Sequence, residues 1–155
     1  MAFLSSMNIV ASGLTAQQLR LDVVSENITN STTTRTENGE GPYRRKMVVF
    51  QSVSGRETFQ EAMARAASGT AVSNKGYENA GGVRVAQIVE DQSDFKIVYD
   101  PTHPDADENG YLEMPNVDSI KEMADAMAAT QAYSANVTAF NTLKTVISKG
   151  LEIGR

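Results

Sequence analysis

The feature that most constrains this chain is a pair of apolar stripes, one near each end, whose members recur every three or four residues. In residues 3–29 the steps alternate between four and three, and Gln17 is the one polar break. Residues 123–151 carry a second stripe that only Lys144 interrupts with a charge. Such spacing forms the a/d seam of a helix packed along a partner helix. The sequence therefore predicts two long helices that pack as an antiparallel coiled-coil-like pair.

The two predicted seams are sets of side chains that would contact neighbouring helices. The N-terminal seam consists of Met7, Val10, Leu14, Leu21, Val24 and Ile28. The C-terminal seam consists of Met123, Tyr133, Val137, Phe140, Ile147 and Leu151. Two helices alone leave apolar surface uncovered, and alanines dot the other faces of the C-terminal helix, so several neighbours can approach closely. These stripes predict an assembly subunit.

The middle of the chain predicts a small β element, which makes the expected fold class mainly α. Strands are predicted at 47–50, 83–89 and 95–99, with the last two joined as a hairpin across 90–94. A short helix at 56–67 and a small, polar link at 68–81 precede that hairpin. The predicted organisation is an N-terminal axial helix at 1–30, a central region at 31–115 with an insertion predicted at 53–81, and a C-terminal axial helix at 116–155. Asn116 is the predicted N-cap of the last helix, with Ser119 and Glu122 as an alternative capping pair.

Composition excludes several classes of function. The net charge is −5 and there are no cysteines, which disfavours nucleic-acid binding and excludes disulfides, thiolate zinc sites and a cysteine nucleophile. Glu90 to Asp125 hold eleven carboxylates against two lysines. No stretch approaches the ~18 apolar residues of a membrane span, and the N-terminus lacks the pattern of a cleaved Sec signal.

Three motifs are candidates for chemistry or charge recognition. His103, the single histidine, stands between prolines and is expected to be fixed by local turns instead of acting as a base or ligand. The run from Asp105 to Gly110 resembles the start of a calcium loop, but its twelfth position is Asn116, where a bidentate Glu belongs. Arg44-Arg45-Lys46 has two interpretations, a solvated strand edge or a contact with acidic residues such as 90–125 of another copy. We predict no catalytic residue, metal site or cofactor.

The sequence at the inner ends of the two predicted helices resembles that of the bacterial flagellar rod and hook proteins. Residues 12–30 resemble the N-terminal signature of that family, which exits through an asparagine-rich segment containing Asn27 and Asn30. Residues 110–118 resemble the other half, ending in Pro115, Asn116, Val117 and Asp118. The proximal rod branch of the family has similar features at three points: Pro42 and Tyr43, the proline before Asn116, and the chain length.

The resemblance implies a structural subunit of the basal-body rod, exported unfolded through the flagellar type III apparatus without a cleaved signal. Its terminal helices would form the inner wall of a hollow drive shaft that transmits torque. The implied partners are other rod subunits, further copies of the chain, the basal-body adaptor protein and the export apparatus, with neither nucleic acid nor direct membrane insertion. The alternative is a self-contained helical adaptor or export-chaperone-like binding module.

Overall fold

The computed structural model describes residues 2–36, 41–53, 63 and 81–153. Within these residues, two long helices flank four short strands. The elements are α1 (Ala2–Thr29), β1 (Lys46–Ser52), β2 (Val83–Glu90), β3 (Lys96–Tyr99), β4 (Tyr111–Met114) and α2 (Ser119–Ile153). The predicted fold class, mainly helical with a small β element, is confirmed.

The two helices pack against each other in antiparallel fashion. Asn27 on α1 meets Glu122 on α2, and fourteen residues earlier on α1 Gly13 meets Asn136, fourteen residues later on α2. A Cβ on Gly13 would lie 3.0 Å from the Asn136 amide nitrogen, so this glycine permits close approach of the helices. Ala16, Val23 and Ala129 are buried between these contacts. The core of the helix pair is thus built from small side chains.

The strands form two separate antiparallel sheets of two strands each. β1 pairs with β2, with a bulge between Val49 and Phe50, and β3 pairs with β4. The strand predicted at 47–50 is confirmed, but the hairpin predicted across 90–94 is wrong. β2 is already paired with β1 as far as Glu90, and the Asp91 amide continues that pairing to the Arg45 carbonyl. β3 instead pairs with β4, which is too short and too close to Pro115 to stand out in the sequence.

The start of α2 differs from the predicted start at Asn116. The helix begins at Ser119 because Asp118 is the N-cap. The Asp118 carboxylate accepts a hydrogen bond from the Ile120 amide at 3.1 Å, and its carbonyl accepts one from the Glu122 amide. An N-cap aspartate satisfies amides that the first turn leaves without partners. Asn116 and Glu122, both predicted in capping roles, bind other groups instead.

Two predicted segments fall largely outside the described residues. These are the helix at 56–67, of which only Met63 is described, and the link at 68–81, of which only Gly81 is described. Met63 is helical and exposed. Within the described residues, no helix has the length and apolar content that a bilayer crossing requires.

A glycine allows the start of β2 to lie close against α1. Gly82 has a φ of +133°, and a Cβ there would lie 2.7 Å from the Ser12 hydroxyl oxygen. That hydroxyl accepts a hydrogen bond from the Val83 amide at 3.1 Å. A positive φ and this close approach both favour glycine.

We expect Gly82→Ala to lower the free energy of unfolding by roughly 1–3 kcal/mol, because it adds backbone strain and a clash with Ser12. Gly150→Ala is the matched control, since a Cβ added there would meet no neighbouring heavy atom within 4 Å. That control should leave stability unchanged or raise it by up to about 1 kcal/mol. Urea unfolding followed by circular dichroism measures both, and equal midpoints for the two variants would contradict the assignment.

Candidate functional site

The predicted motif residues meet at one polar junction, and Asn27 lies at its centre. Asn27 is fully buried near the end of α1. Its side-chain nitrogen donates to the Lys46 carbonyl at 2.8 Å, and its oxygen accepts from the Lys46 amide at 2.9 Å. A backbone amide can only donate and a carbonyl can only accept, so these two bonds fix the orientation of the side chain. Asn27 therefore binds the first residue of β1 much as a neighbouring strand would.

The remaining hydrogen-bonding capacity of Asn27 is also used. The Tyr43 hydroxyl donates to the Asn27 oxygen at 2.9 Å, and the Asn27 nitrogen donates to Glu122 Oε2 at 2.9 Å. Two donors and two acceptor positions are thus all satisfied. A fully satisfied buried amide adds specificity, because any shift in register would leave polar groups without partners.

Glu122 is fully buried and belongs to the first turn of α2. Besides Asn27, it binds Arg45, whose Nε donates to Glu122 Oε1 at 2.7 Å. A buried charge is tolerated only when it is paired and hydrogen-bonded, and both carboxylate oxygens meet that condition here. The sequence pattern predicts a role for Glu122 at the helix terminus, but it carries no sign that this side chain is buried.

Arg45 and Arg20 extend the junction into a charge network. Arg45 also lies 3.4 Å from Asp125 and 3.8 Å from Asp91, while Arg20 on α1 binds Asp125 at 3.0 Å. The network joins both helices, the residue before β1 and the residue after β2. These outer pairs are part-exposed, so each contributes far less than the buried contact.

The basic cluster predicted at 44–46 is occupied within the chain. Arg45 pairs with three carboxylates of the 90–125 stretch, Lys46 pairs with Glu26, and Arg44 stacks over the Phe95 ring at 4.3 Å. The acidic stretch is indeed the partner, but it belongs to the same chain. Neither a freely solvated edge nor another copy is needed to explain these residues.

The second half of the family motif forms the other side of the junction. Pro115 and Val117 are buried, and Asp118 caps α2. The Asn116 oxygen accepts from the Arg45 amide at 2.8 Å, and its nitrogen donates to the Asp91 carbonyl at 3.0 Å and to Ser93. Asn116 therefore joins the start of β1 and the end of β2, which are paired at one end of the sheet, to the segment that leads into α2.

The first half of the motif ends α1 and leads into the junction. Asn30 donates to the Glu26 carbonyl and accepts from Thr33, which closes the last turn of the helix. Pro42 is half-buried immediately before Tyr43. All eight motif residues thus lie at or beside the point where α1, β1 and α2 meet.

The environment keeps Tyr43 protonated and Asp91 ionised. Burial raises the pKa of Tyr43 above its ordinary value of 10.0, and the carboxylates of Glu26, Glu122 and Glu90 raise it further. Hydrogen bonds from Ser93, with a smaller contribution from the Arg45 charge, lower the pKa of Asp91. The Tyr43 hydroxyl is therefore a stable donor to Asn27.

The structure places the predicted seam residues in two environments. On α1, Val24 is buried, and the other five, Met7, Val10, Leu14, Leu21 and Ile28, are half-buried. On α2, Tyr133, Phe140 and Ile147 are half-buried, whereas Met123 and Leu151 are 55% and 73% exposed and Val137 is also exposed. Only part of the α2 seam therefore faces α1.

The loop that contains His103 is held by a local hydrogen bond and by contacts with the segment after α1. His103 Nδ1 accepts a hydrogen bond from the Asp105 amide at 3.1 Å, and Asp105 binds Thr34 and Arg35 through its carboxylate. Among the described residues, no three His, Asp or Glu side chains are grouped so that they could hold a metal ion.

Comparison with known proteins gives two family matches and several full-length relatives. Residues 7–35 match the model described as flagella basal body rod protein, and 108–153 match that described as flagellar basal body rod FlgEFG protein C-terminal. The flagellar basal-body rod protein FlgC of Bacillus subtilis is 51% identical, over 97% of each chain. The proteins of the same name from Borreliella burgdorferi and Escherichia coli O157:H7 are both 40% identical, over at least 98% of each chain.

We expect Asn27→Ala to lower the free energy of unfolding by about 2–4 kcal/mol, because the Lys46 backbone groups and the Tyr43 hydroxyl would lose a buried partner. Asn30→Ala is the matched control, since Asn30 makes only local bonds at the helix end and its loss should cost about 1 kcal/mol or less. Thermal or urea unfolding measures both. Comparable losses in the two variants would argue against a central role for Asn27.

We also expect stability to fall as the pH rises above about 10, where the unfolded phenol of Tyr43 ionises while the native phenol retains its proton. The raised pKa means that the native state binds more protons there, so the slope of stability against pH is negative. Tyr43→Phe should reduce that slope, and the comparison of slopes between about pH 9 and 11 removes contributions from other groups. Parallel curves for the two proteins would rule out this linkage.

Proposed function

The chain belongs to the FlgC family of flagellar basal-body rod proteins, and from that membership we propose that it polymerises through its two terminal helices into the hollow proximal part of the rod. It is a structural subunit of the flagellar basal body, and it associates with other rod components. The finer role that we propose is that of a wall element in a shaft that transmits torque and carries exported subunits.

The observation that carries the proposal is the exposed apolar stripe at the start of α2. Ile120, Met123 and Met127 follow the i, i+3, i+7 spacing of one helix face and are 80%, 55% and 68% exposed. Large apolar side chains clustered on one exposed face mark an interaction surface. In the proposed rod this stripe, with Val137 and Leu151, packs on neighbouring subunits.

The polar junction supports the same role in a different way. Asn27 and Glu122 fix the register of the two helices, while Arg45 and Asn116 attach the β1–β2 sheet to their inner end. A wall element that transmits torque needs a defined angle between its helices and the rest of the subunit. We infer that the junction supplies this rigidity and that the outward faces of the helices supply the contacts.

The proposal extends to the route and partners of the chain. We propose export through the flagellar type III apparatus without a cleaved signal, followed by folding at the growing rod, with the basal-body adaptor protein as the neighbour at the base. The helix pair joins residues near the two ends of the sequence, so it forms only after nearly all of the chain has emerged. The role is purely mechanical and calls on no reaction at the junction.

We expect Met127→Glu to abolish incorporation into the rod and swimming, while the free energy of unfolding of the monomer changes by only about 0.5 kcal/mol. The side chain is exposed in the monomer, but a carboxylate there would be buried against a neighbouring subunit. Thr142→Glu, at another exposed position of α2, is the matched control and should swim. The measurements are the subunit content of purified basal bodies, motility and urea unfolding. If the Met127→Glu variant entered the rod at the normal level, this stripe would not be a subunit contact.

A further inference from the structure

The β3–β4 hairpin has one edge that no described residue covers. All four residues of β3 are exposed, and Ile97 and Tyr99 are 70% and 64% exposed. On β4, in contrast, Leu112 is buried. Among the described elements, β3 approaches only β4. β3 is therefore the outer strand of this two-stranded sheet.

A hydrogen bond at the end of the hairpin fixes which backbone groups point outward. The Asp100 amide donates to the Gly110 carbonyl at 2.9 Å, so this pair is of the hydrogen-bonded kind. Along an antiparallel ladder, such pairs alternate with pairs whose amides and carbonyls point away from the partner strand. By that alternation Val98 bonds to β4, whereas Ile97 and Tyr99 direct their amides and carbonyls to the free edge.

The outer edge of β4 shows the same alternation. Tyr111 pairs with Tyr99, and the Tyr111 carbonyl turns away from β3 to accept a hydrogen bond from the Asp107 amide at 2.9 Å. On the edge of β3, neither Ile97 nor Tyr99 receives such a bond from a described residue. This edge therefore offers two amides and two carbonyls at the spacing that a further strand requires.

The edge of the β1–β2 sheet is occupied where the edge of β3 is open. At the start of β1, Asn27 bonds both the amide and the carbonyl of Lys46. β3 contains neither a proline nor a bulge, and its one charged side chain, Lys96, donates to the Val117 carbonyl instead of guarding the edge. An apolar edge strand in this state is a template for another strand.

We propose that an extended segment of a different rod component adds to the hairpin as a third strand and pairs with the backbone of Ile97 and Tyr99. The inference rests on the proposed rod function and names the kind of contact by which one neighbour binds. The added segment is apolar at alternate positions, because it lies beside the face that Ile97 shares with Tyr99 and Tyr111. The two tyrosine rings on that face meet edge to face at 5.4 Å.

The partner is a different protein and not a second copy of this chain. In a second copy, β1 and β2 lie against α1, and the Asp107 amide occupies the outer edge of β4. Among the described strands this leaves β3 itself as the one with an open edge. Two β3 edges that paired would form an isologous contact, which closes as a dimer and cannot extend a rod.

Hydrogen exchange of the β3 amides tests strand addition directly. In the monomer, the Ile97 and Tyr99 amides should exchange quickly, whereas the Val98 amide, which bonds to β4, should be protected. In rods purified from cells, exchange at Ile97 and Tyr99 should slow by roughly tenfold or more, because both amides gain a hydrogen bond in a buried contact. Unchanged exchange at both residues would overturn the proposal while the rod function stands.

A proline at position 97 removes one outward amide without removing a hydrogen bond to β4. We expect Ile97→Pro to lower incorporation into rods roughly five- to tenfold, the effect of about one lost hydrogen bond. Ile97→Val keeps the amide and a branched apolar side chain, so this matched control should enter rods normally. Equal incorporation of the two variants would contradict the proposal. Circular dichroism checks both monomers, and hydrogen exchange alone decides if Ile97→Pro does not fold.

The neighbour is identified by photo-cross-linking. With p-benzoylphenylalanine in place of Tyr99, irradiation of purified rods should attach the chain to an extended segment of another rod component, which mass spectrometry identifies. The same group in place of Thr142, an exposed residue of α2, is the control and should not label that segment. Attachment to a second copy, or no adduct in rods that contain the variant, would overturn the proposal but not the rod function. Absence of the unmodified chain from purified rods would overturn both.

Discussion

The carboxylate of Glu122 is the group on which the arrangement of the described elements depends. It lies away from water, and its two hydrogen-bond donors among the described residues are Asn27 and Arg45. Breaking a buried pair by removing one partner leaves a charge that nothing compensates, which is far more costly than losing a surface contact. Because Asn27 stands on α1 and Arg45 directly precedes β1, the carboxylate holds three elements together. A shift of one helix along the other, or of β1 relative to the helices, would break a hydrogen bond to this carboxylate.

The same constraint explains how two helices with a modest core keep one register. Buried polar groups specify register better than apolar ones, since a slip of one turn leaves them without partners. Once Asn27 faces Glu122, Gly13 is brought opposite Asn136, where the lack of a side chain on glycine leaves room for the Asn136 amide. The glycine that weakens the isolated helix therefore permits the packing of the pair. Ala16 and Ala129 extend this pattern of small side chains between the helices.

The helices can be predicted from the sequence because their signal is periodic and long, and the end of α1 is predicted to within a residue or two. The pairing of β3 cannot be predicted in the same way, because strand partners are set by tertiary contacts and not by a local pattern: β2 pairs with β1, and β3 pairs with the short strand β4. Asparagine is a common N-cap residue, but the side chain of Asn116 binds the Arg45 amide and the Asp91 carbonyl. Asp118 therefore caps α2 instead. The motif residues are identifiable by resemblance, whereas only the structure reveals that Arg45 and Glu122 complete their junction.

The distribution of side-chain size on α2 links this junction to assembly. Toward α1 the helix presents Glu122 and Ala129, while Ile120 and Met127 point outward. A helix that ended its folding in a two-helix hairpin would reverse this order, since burial of a large apolar side chain contributes about 1.5–3 kcal/mol and burial of alanine much less. The burial of Ile120 and Met127 is therefore still available for contacts outside the chain. Polar specificity fixes the shape of the subunit, and the apolar contribution remains available to drive its association.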